Sequence, residues 1–240
     1  MEIPFILCVV IIASCIGTMT GFGTSTIMVP IVLLFYSVPQ TLLFVGIIHW
    51  FGNIWKLILF KKGFQWRLIL SFGVPGIAAT FLGASLMFNI STAALSRILG
   101  SFLIIYVVYL FAKSSFKIKQ SLFAGACGGA LSGFLAGLFG MGGAVRGLFL
   151  TSFDLPKAVY IATAGAIALI IDTTRLTTYF AKGARLPTLL LWGLPIFIPA
   201  SFLGAKIAKR IVDKIPQEHF RKVIAVFLFL AGIKLLLLPK

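Results

Sequence analysis

Three cations stand inside apolar stretches of this 240-residue chain, at Lys56, Arg146 and Arg175. A lysine or arginine at the centre of a hydrocarbon layer costs at least about 2.5–3.5 kcal/mol, so each needs a counter-charge or an aqueous cavity. His49, Asn53 and Lys56 follow i, i+4, i+7 spacing and share one helix face. Asp172, Arg175 and Tyr179 follow i, i+3, i+7 spacing and share another. Two readings stand for these groups. Either Asp172 neutralises Arg175 while His49 and Asn53 join helices, or all of them line a polar cavity. Lys56 lies five residues before Lys61, so headgroups are also within its reach. Lys234, near the end of the last apolar run, snorkels to the interface. Arg146 has no acidic residue on its own short segment and follows Gly140-Met141-Gly142-Gly143. An arginine beside a glycine-rich break is the leading single candidate for an anion ligand.

The breaks themselves carry chemistry. Gly21-Phe22-Gly23 interrupts one apolar run and Gly140 through Gly143 interrupts another. Glycine-rich interruptions at membrane depth expose backbone N–H groups and helix N-termini, whose positive dipole ends suit anions. Thr24, Ser25 and Thr26 add three hydroxyls directly after the first break. Corresponding interruptions in two halves of a chain point to a transport site. The same glycines also permit close helix packing.

Other chemistries find no support. His49 and His219 are far apart, no His/Cys cluster has metal-ligand spacing, and no nucleotide fingerprint is present. No cofactor is expected. An intramembrane enzyme would have only Asp172 and His49 as its acid–base pair, and a channel would share the same cavity. The net charge of +16 does not indicate nucleic acid, because the basic residues fall mostly in short connections between apolar runs. Cys8, Cys15 and Cys127 all lie inside apolar stretches, so they are expected to serve packing rather than disulfides.

The elements that hold these residues must be membrane helices. Hydrophobic residues make up 60% of the chain and charged residues 11%, against roughly a quarter charged in a soluble domain. Apolar runs long enough to cross hydrocarbon follow one another almost without pause, and backbone groups in lipid must be satisfied within each segment. The chain therefore reads as an all-α, multi-pass protein of the cytoplasmic membrane. Ten segments are expected, at about 3–20, 24–37, 40–60, 67–88, 94–112, 121–136, 142–153, 156–180, 186–205 and 219–238. The first run has only Glu2 as an early charge and no small-residue cleavage site, so it is expected to stay in the mature fold.

The two sets of five segments read as copies. Phe22-Gly23 matches Phe139-Gly140 and Pro39 matches Pro156, both at an offset of 117. Lys62-Gly63 matches Lys182-Gly183 and Pro75 matches Pro195, both at 120. Phe81 to Ala84 recurs as Phe202 to Ala205 at 121, and Arg97 answers Arg221 at 124. Lys56 and Arg175 correspond at 119. A first repeat over residues 1–113, a basic linker over 114–120 and a second repeat over 121–240 follow. If the first two segments of each repeat form a hairpin, the copies are inverted and loop cations split 13 to 4 between the two sides; if they form one broken crossing, the copies are parallel and the split is 9 to 8. The positive-inside rule favours inverted repeats, with glycine-broken re-entrant or discontinuous helices and both chain ends outside the cytoplasm.

The motif Gly21-Phe22-Gly23-Thr24-Ser25-Thr26 with Pro30, its partner Gly140-Met141-Gly142-Gly143-Ala144, Pro39 and Pro156, and the Phe-Leu-Gly-Ala repeats resemble the sulfite exporter TauE/SafE family of membrane transporters. The resemblance covers nearly the whole chain. The first motif departs from it, with Thr24, Ser25 and Thr26 where the family commonly carries further glycines, and Ala144 shortens the second run. The resemblance implies transport of a small sulfur-containing anion such as sulfite or an organosulfonate. Combined with the residues above, the expected site contains Gly21, Phe22, Gly23, Thr24, Ser25, Thr26, His49, Asn53, Gly140, Gly142, Gly143, Arg146, Asp172 and Arg175. Backbone N–H groups and hydroxyls would cradle the anion, Arg146 and Arg175 would supply charge, and His49 and Asn53 would donate hydrogen bonds. One repeat would rock against the other. The lipid bilayer and a small anion are the expected partners, and a homodimer is an option for so small a chain.

Overall fold

In a computed structural model, described over residues 2–20, 23–60, 63–111, 121–151, 153–211, 229–230 and 232–237, the chain is all helical with no strand among these residues. The first half of the chain supplies α1 (Glu2–Thr20), α2 (Ser25–Val32), α3 (Val38–Leu59), α4 (Trp66–Met87) and α5 (Thr92–Phe111). The second supplies α6 (Leu122–Phe139), α7 (Gly143–Thr151), α8 (Lys157–Ala181) and α9 (Thr188–Ile211). Residues 229–230 and 232–237 are helical within the tenth expected segment. The 114–120 linker lies outside the described residues, as do Gly21 and Phe22.

Six of the described helices, α1, α3, α4, α6, α8 and α9, are long and apolar enough to cross a membrane. Their outward faces are apolar too: Trp66, Leu70 and Val74 on α4 and Leu191, Trp192 and Ile196 on α9 are all exposed. Such a surface is stable against lipid and not against water. Cys8 and Cys127, expected inside, are exposed on this outer surface, and Cys15 is half-buried. An apolar run buried on one side only cannot be told from one buried all round by composition.

Boundaries differ where local chemistry intervenes. The second segment stops at Val32 rather than 37, because Ser37 starts the next helix. The Ser37 N–H donates to the Gln40 side chain at 3.3 Å, and Pro39 occupies the first turn, where its missing N–H costs nothing. The ninth segment runs past 205 to Ile211, with Lys209 and Arg210 complementing the helix C-terminus.

Both helix pairs at the glycine breaks double back. Gly23 has φ +88° and its N–H returns to the Gly17 carbonyl at 3.3 Å. The Tyr36 hydroxyl, beyond α2, donates to Glu2 at the start of α1 at 3.1 Å, and Phe35 stacks edge-on with Phe5 at 5.5 Å. Burial, then the Glu2 carboxylate, push the Tyr36 hydroxyl up to about 12, so it remains a donor. The α1–α2 pair therefore returns the chain to the side on which it began. Gly140, with φ +71°, ends α6, and its N–H bonds the Ala136 carbonyl at 2.8 Å. A Cβ at Gly142 would collide with the Ser132 carbonyl, ten residues earlier on α6, and Phe149 of α7 lies against Gly128. The positive-φ glycines among the described residues are Gly23, Gly63, Gly140 and Gly183. They are the pairs matched at offsets 117 and 120.

Helix partners cross between the two halves of the chain: α4 packs most extensively on α6, α1 on α9, and α3 on α8. Gly129, Gly133 and Gly137 of α6 sit directly on the Phe72, Gly76 and Thr80 carbonyls of α4, so these helices run parallel in a four-residue register. Absent side chains let the backbones approach closely. Gly204 of α9 meets the Ile11 carbonyl of α1 in the same way, and its counterpart Gly83 meets the Phe134 carbonyl of α6. By contrast α3 and α8 are antiparallel. Gly46 faces Arg175 and Leu176, Trp50 donates to Thr173 at 2.9 Å, and Gly165 faces Lys56 and Leu57.

Candidate functional site

The α3–α8 crossing buries the ionisable residues. Asp172 is the one buried acid among the described residues, at 2% exposure, and three cations are buried with it: Lys56 at 3%, Arg146 at 2% and Arg175 at 0%. Asp172 accepts from His49 Nδ1 at 2.7 Å, from Arg175 Nη2 at 2.7 Å and from Asn53 Nδ2 at 2.9 Å. Lys56 Nζ donates to Asn53 Oδ1 at 3.0 Å. Lys56 thus turns inward and does not reach for headgroups. Both ends of the Asn53 amide are engaged in this network, which ties α3 to α8.

Helix periodicity explains the meeting. His49, Asn53 and Lys56 occupy one face of α3, Asp172 and Arg175 one face of α8, and the two faces oppose each other. Asn53 and Asp172 are separated by 119 positions, the same offset that relates Lys56 to Arg175. They share that offset and bond directly to each other. Gly46 and Gly165, again 119 apart, face each other's partners reciprocally, as residues do about a two-fold axis. The sequence contained this signal, since the offset already assigned to Lys56 carries Asn53 onto Asp172.

The helix ends surround this centre. Arg175 Nη1 reaches the Ala136 carbonyl at 3.5 Å, and Tyr179 donates to the Gly137 carbonyl. Those carbonyls close the C-terminal turn of α6, where the helix dipole favours a cation. Gly140 brings its backbone against the same guanidinium: a Cβ there would lie 2.8 Å from Arg175 Nη1. Gly23 does the same for His49, with a Cβ position 2.5 Å from His49 Nε2. Both breaks therefore approach the α3–α8 centre, and both need glycine for the space as well as for positive φ. Thr24, Ser25 and Thr26 are buried at the start of α2. Arg146, on α7, lies within electrostatic reach of Lys56, Asp172 and Arg175.

Four polar atoms here have no hydrogen-bond partner: Thr24 Oγ1, His49 Nε2, Arg146 Nε and Arg175 Nε. Buried polar atoms are nearly always paired, and these four are half of the eight such orphans among the described residues, the others being hydroxyls of Ser14, Thr80, Ser85 and Ser96. Two further expected residues lie at the α6–α7 turn. Gly142 lies against Ser132 and closes the α6–α7 hairpin, and Gly143 opens α7. The carbonyls of Ala136 and Gly137 were not foreseen, because a backbone acceptor leaves no mark in sequence.

The geometry is one of a polar, electropositive centre enclosed by membrane helices. No group of three metal-binding side chains occurs among the described residues. Comparison with known proteins agrees with this architecture. The chain is 27% identical over 262 aligned positions to the probable membrane transporter protein MJ0441 of Methanocaldococcus jannaschii, covering 98% of this chain and 96% of that protein. It is 28% identical over 185 positions to the probable membrane transporter protein y4hK of Sinorhizobium fredii, covering 72% of each. Residues 6–235 match the family described as sulfite exporter TauE/SafE. This multi-pass helical chain, with its buried charge between two glycine-turned hairpins, belongs to the TauE/SafE family of membrane transporters.

Proposed function

We propose that the protein is a secondary transporter that moves a small sulfur-containing anion, sulfite or an organosulfonate, across the cytoplasmic membrane by alternating access. The observation that carries this reading is the charge at the α3–α8 crossing. Three buried cations face one buried carboxylate, a formal excess of two positive charges. An uncompensated charge in a low-dielectric interior is costly, and an oxyanion from solution would offset it. Partnerless Arg146 Nε, Arg175 Nε and Thr24 Oγ1 are donors suited to oxyanion oxygens. The family's name supplies the sulfur chemistry. Antiparallel α3 and α8, the reciprocal helix partners and the matched positive-φ glycines support two inverted repeats about a central site.

The test is ligand-dependent thermal stability of the detergent-purified protein at fixed ionic strength, against sulfite, thiosulfate, small sulfonates, sulfate, carboxylates and cationic controls. A ligand that binds only the folded state stabilises it by RT ln(1 + [L]/Kd), about 2.7 kcal/mol at one hundred times Kd. Selective stabilisation by sulfur anions is expected, and Arg146→Gln should weaken it tenfold or more in Kd. Stabilisation by cations alone would defeat the anion reading. A channel with the same cavity would instead conduct anions in a planar bilayer at rates far above a carrier's.

A further inference from the structure

The imidazole of His49 is held by one nitrogen only. Nδ1 lies 2.7 Å from Asp172 Oδ2, and a carboxylate can only accept, so the hydrogen of a neutral His49 sits on Nδ1. That leaves Nε2 with a lone pair, buried, without a hydrogen-bond partner and directed at the backbone of Gly23. A lone pair repels an oxyanion arriving at the same break; a protonated Nε2 would donate to it. We infer that His49 Nε2 takes up a proton when the anion binds, so that proton and anion cross the membrane together. This rests on the anion-transport reading above.

The surroundings of His49 determine why the group responds to the ligand. On its own helix lies Lys56, from α8 come Asp172 and Arg175, and Arg146 of α7 acts through Asp172. The charged residues of the other helices packed on α3 are exposed: Glu2 of α1, Arg97 of α5, and Lys206, Lys209 and Arg210 of α9. α2 carries no charged residue. The ring thus sits in a field of three cations and one carboxylate, the carboxylate in direct contact with Nδ1. One anion at the Gly23–Thr24 break shifts that balance toward the imidazolium. By linkage, protonation must strengthen anion binding by the same factor. The step moves one proton from solution to Nε2 and returns it on release, with no bond made or broken elsewhere.

The experiment uses the full chain with a small alkanesulfonate, which does not itself titrate near neutral pH. Binding enthalpy is measured in buffers of different ionisation enthalpy. The expected result is uptake of close to one proton per sulfonate, with affinity falling about tenfold for each pH unit of rise. Nitrogen-15 histidine spectra should show Nε2 of His49 becoming protonated on sulfonate addition, with His219→Gln removing the other histidine. In proteoliposomes, a sulfonate gradient should acidify the lumen as sulfonate enters. In His49→Gln the sulfonate that still binds should do so without proton uptake and without the pH dependence seen in the wild type. Sulfonate binding to the wild type without proton uptake, or uptake persisting in His49→Gln, overturns this inference and leaves the transport reading intact. No sulfonate binding at all would bring down the reading on which it rests.

Discussion

Asp172 accepts from His49, Asn53 and Arg175 on two helices, so one side chain sets the geometry of the whole centre. Replacing it with asparagine keeps its shape but leaves the Arg175 charge buried without a counter-ion. Breaking a buried pair from one side costs on the order of 3–5 kcal/mol. Asp172→Asn should therefore lower the unfolding midpoint in detergent sharply, and addition of a tightly bound anion should recover part of the loss. A midpoint unchanged from the wild type would mean that Arg175 finds compensation elsewhere. Arg146→Gln should behave in the opposite way, sparing stability and weakening anion binding. Gly23→Ala would have to hold a Cβ at φ +88° and 2.5 Å from His49 Nε2. It should lose anion binding while its helix content, followed by far-UV circular dichroism, stays at the wild-type level.

At the scale of elements, the sequence was legible where physics leaves a periodic or compositional trace. The order of the helices, the turns at Gly23 and Gly140 and the shared faces of α3 and α8 all follow from apolar spacing and glycine placement. The contact between Asn53 and Asp172 was hidden, because no periodicity tells which helices cross or at what height. Gly125, Gly129, Gly133 and Gly137 repeat every four residues, yet small residues are common in membrane helices, and the spacing alone does not name the partner. The structure supplies it as α4. Gly133→Val would drive two methyl groups toward the Gly76 carbonyl and Thr80 Oγ1. Overpacking of this kind costs about 1–3 kcal/mol. Unfolding of the purified variant should shift accordingly, and Leu131→Val, on an exposed position of the same helix, should shift little.

For the whole molecule, the inverted arrangement predicts where each connection lies. In a background lacking Cys8, Cys15 and Cys127, Gln65→Cys should react with an impermeant thiol reagent only from the cytoplasmic side. Arg185→Cys should react only from the other. Labelling of both from one face would reverse the inverted reading. The close backbone contact of α6 on α4, mirrored by α9 on α1, has a mechanical consequence. Each of these interfaces joins a helix of one half of the chain to a helix of the other, with main chains touching and no flexible side chain between them. Sliding there by a single residue would bring Cβ atoms onto carbonyl oxygens, so these seams resist shear. A division of the molecule into its two sequence halves would have to tear both. On the alternating-access proposal the parting line would run elsewhere, between α1 with α9 on one hand and α4 with α6 on the other, across the α3–α8 contact where the buried charges sit. The bodies that would move on that proposal each draw helices from both halves of the chain.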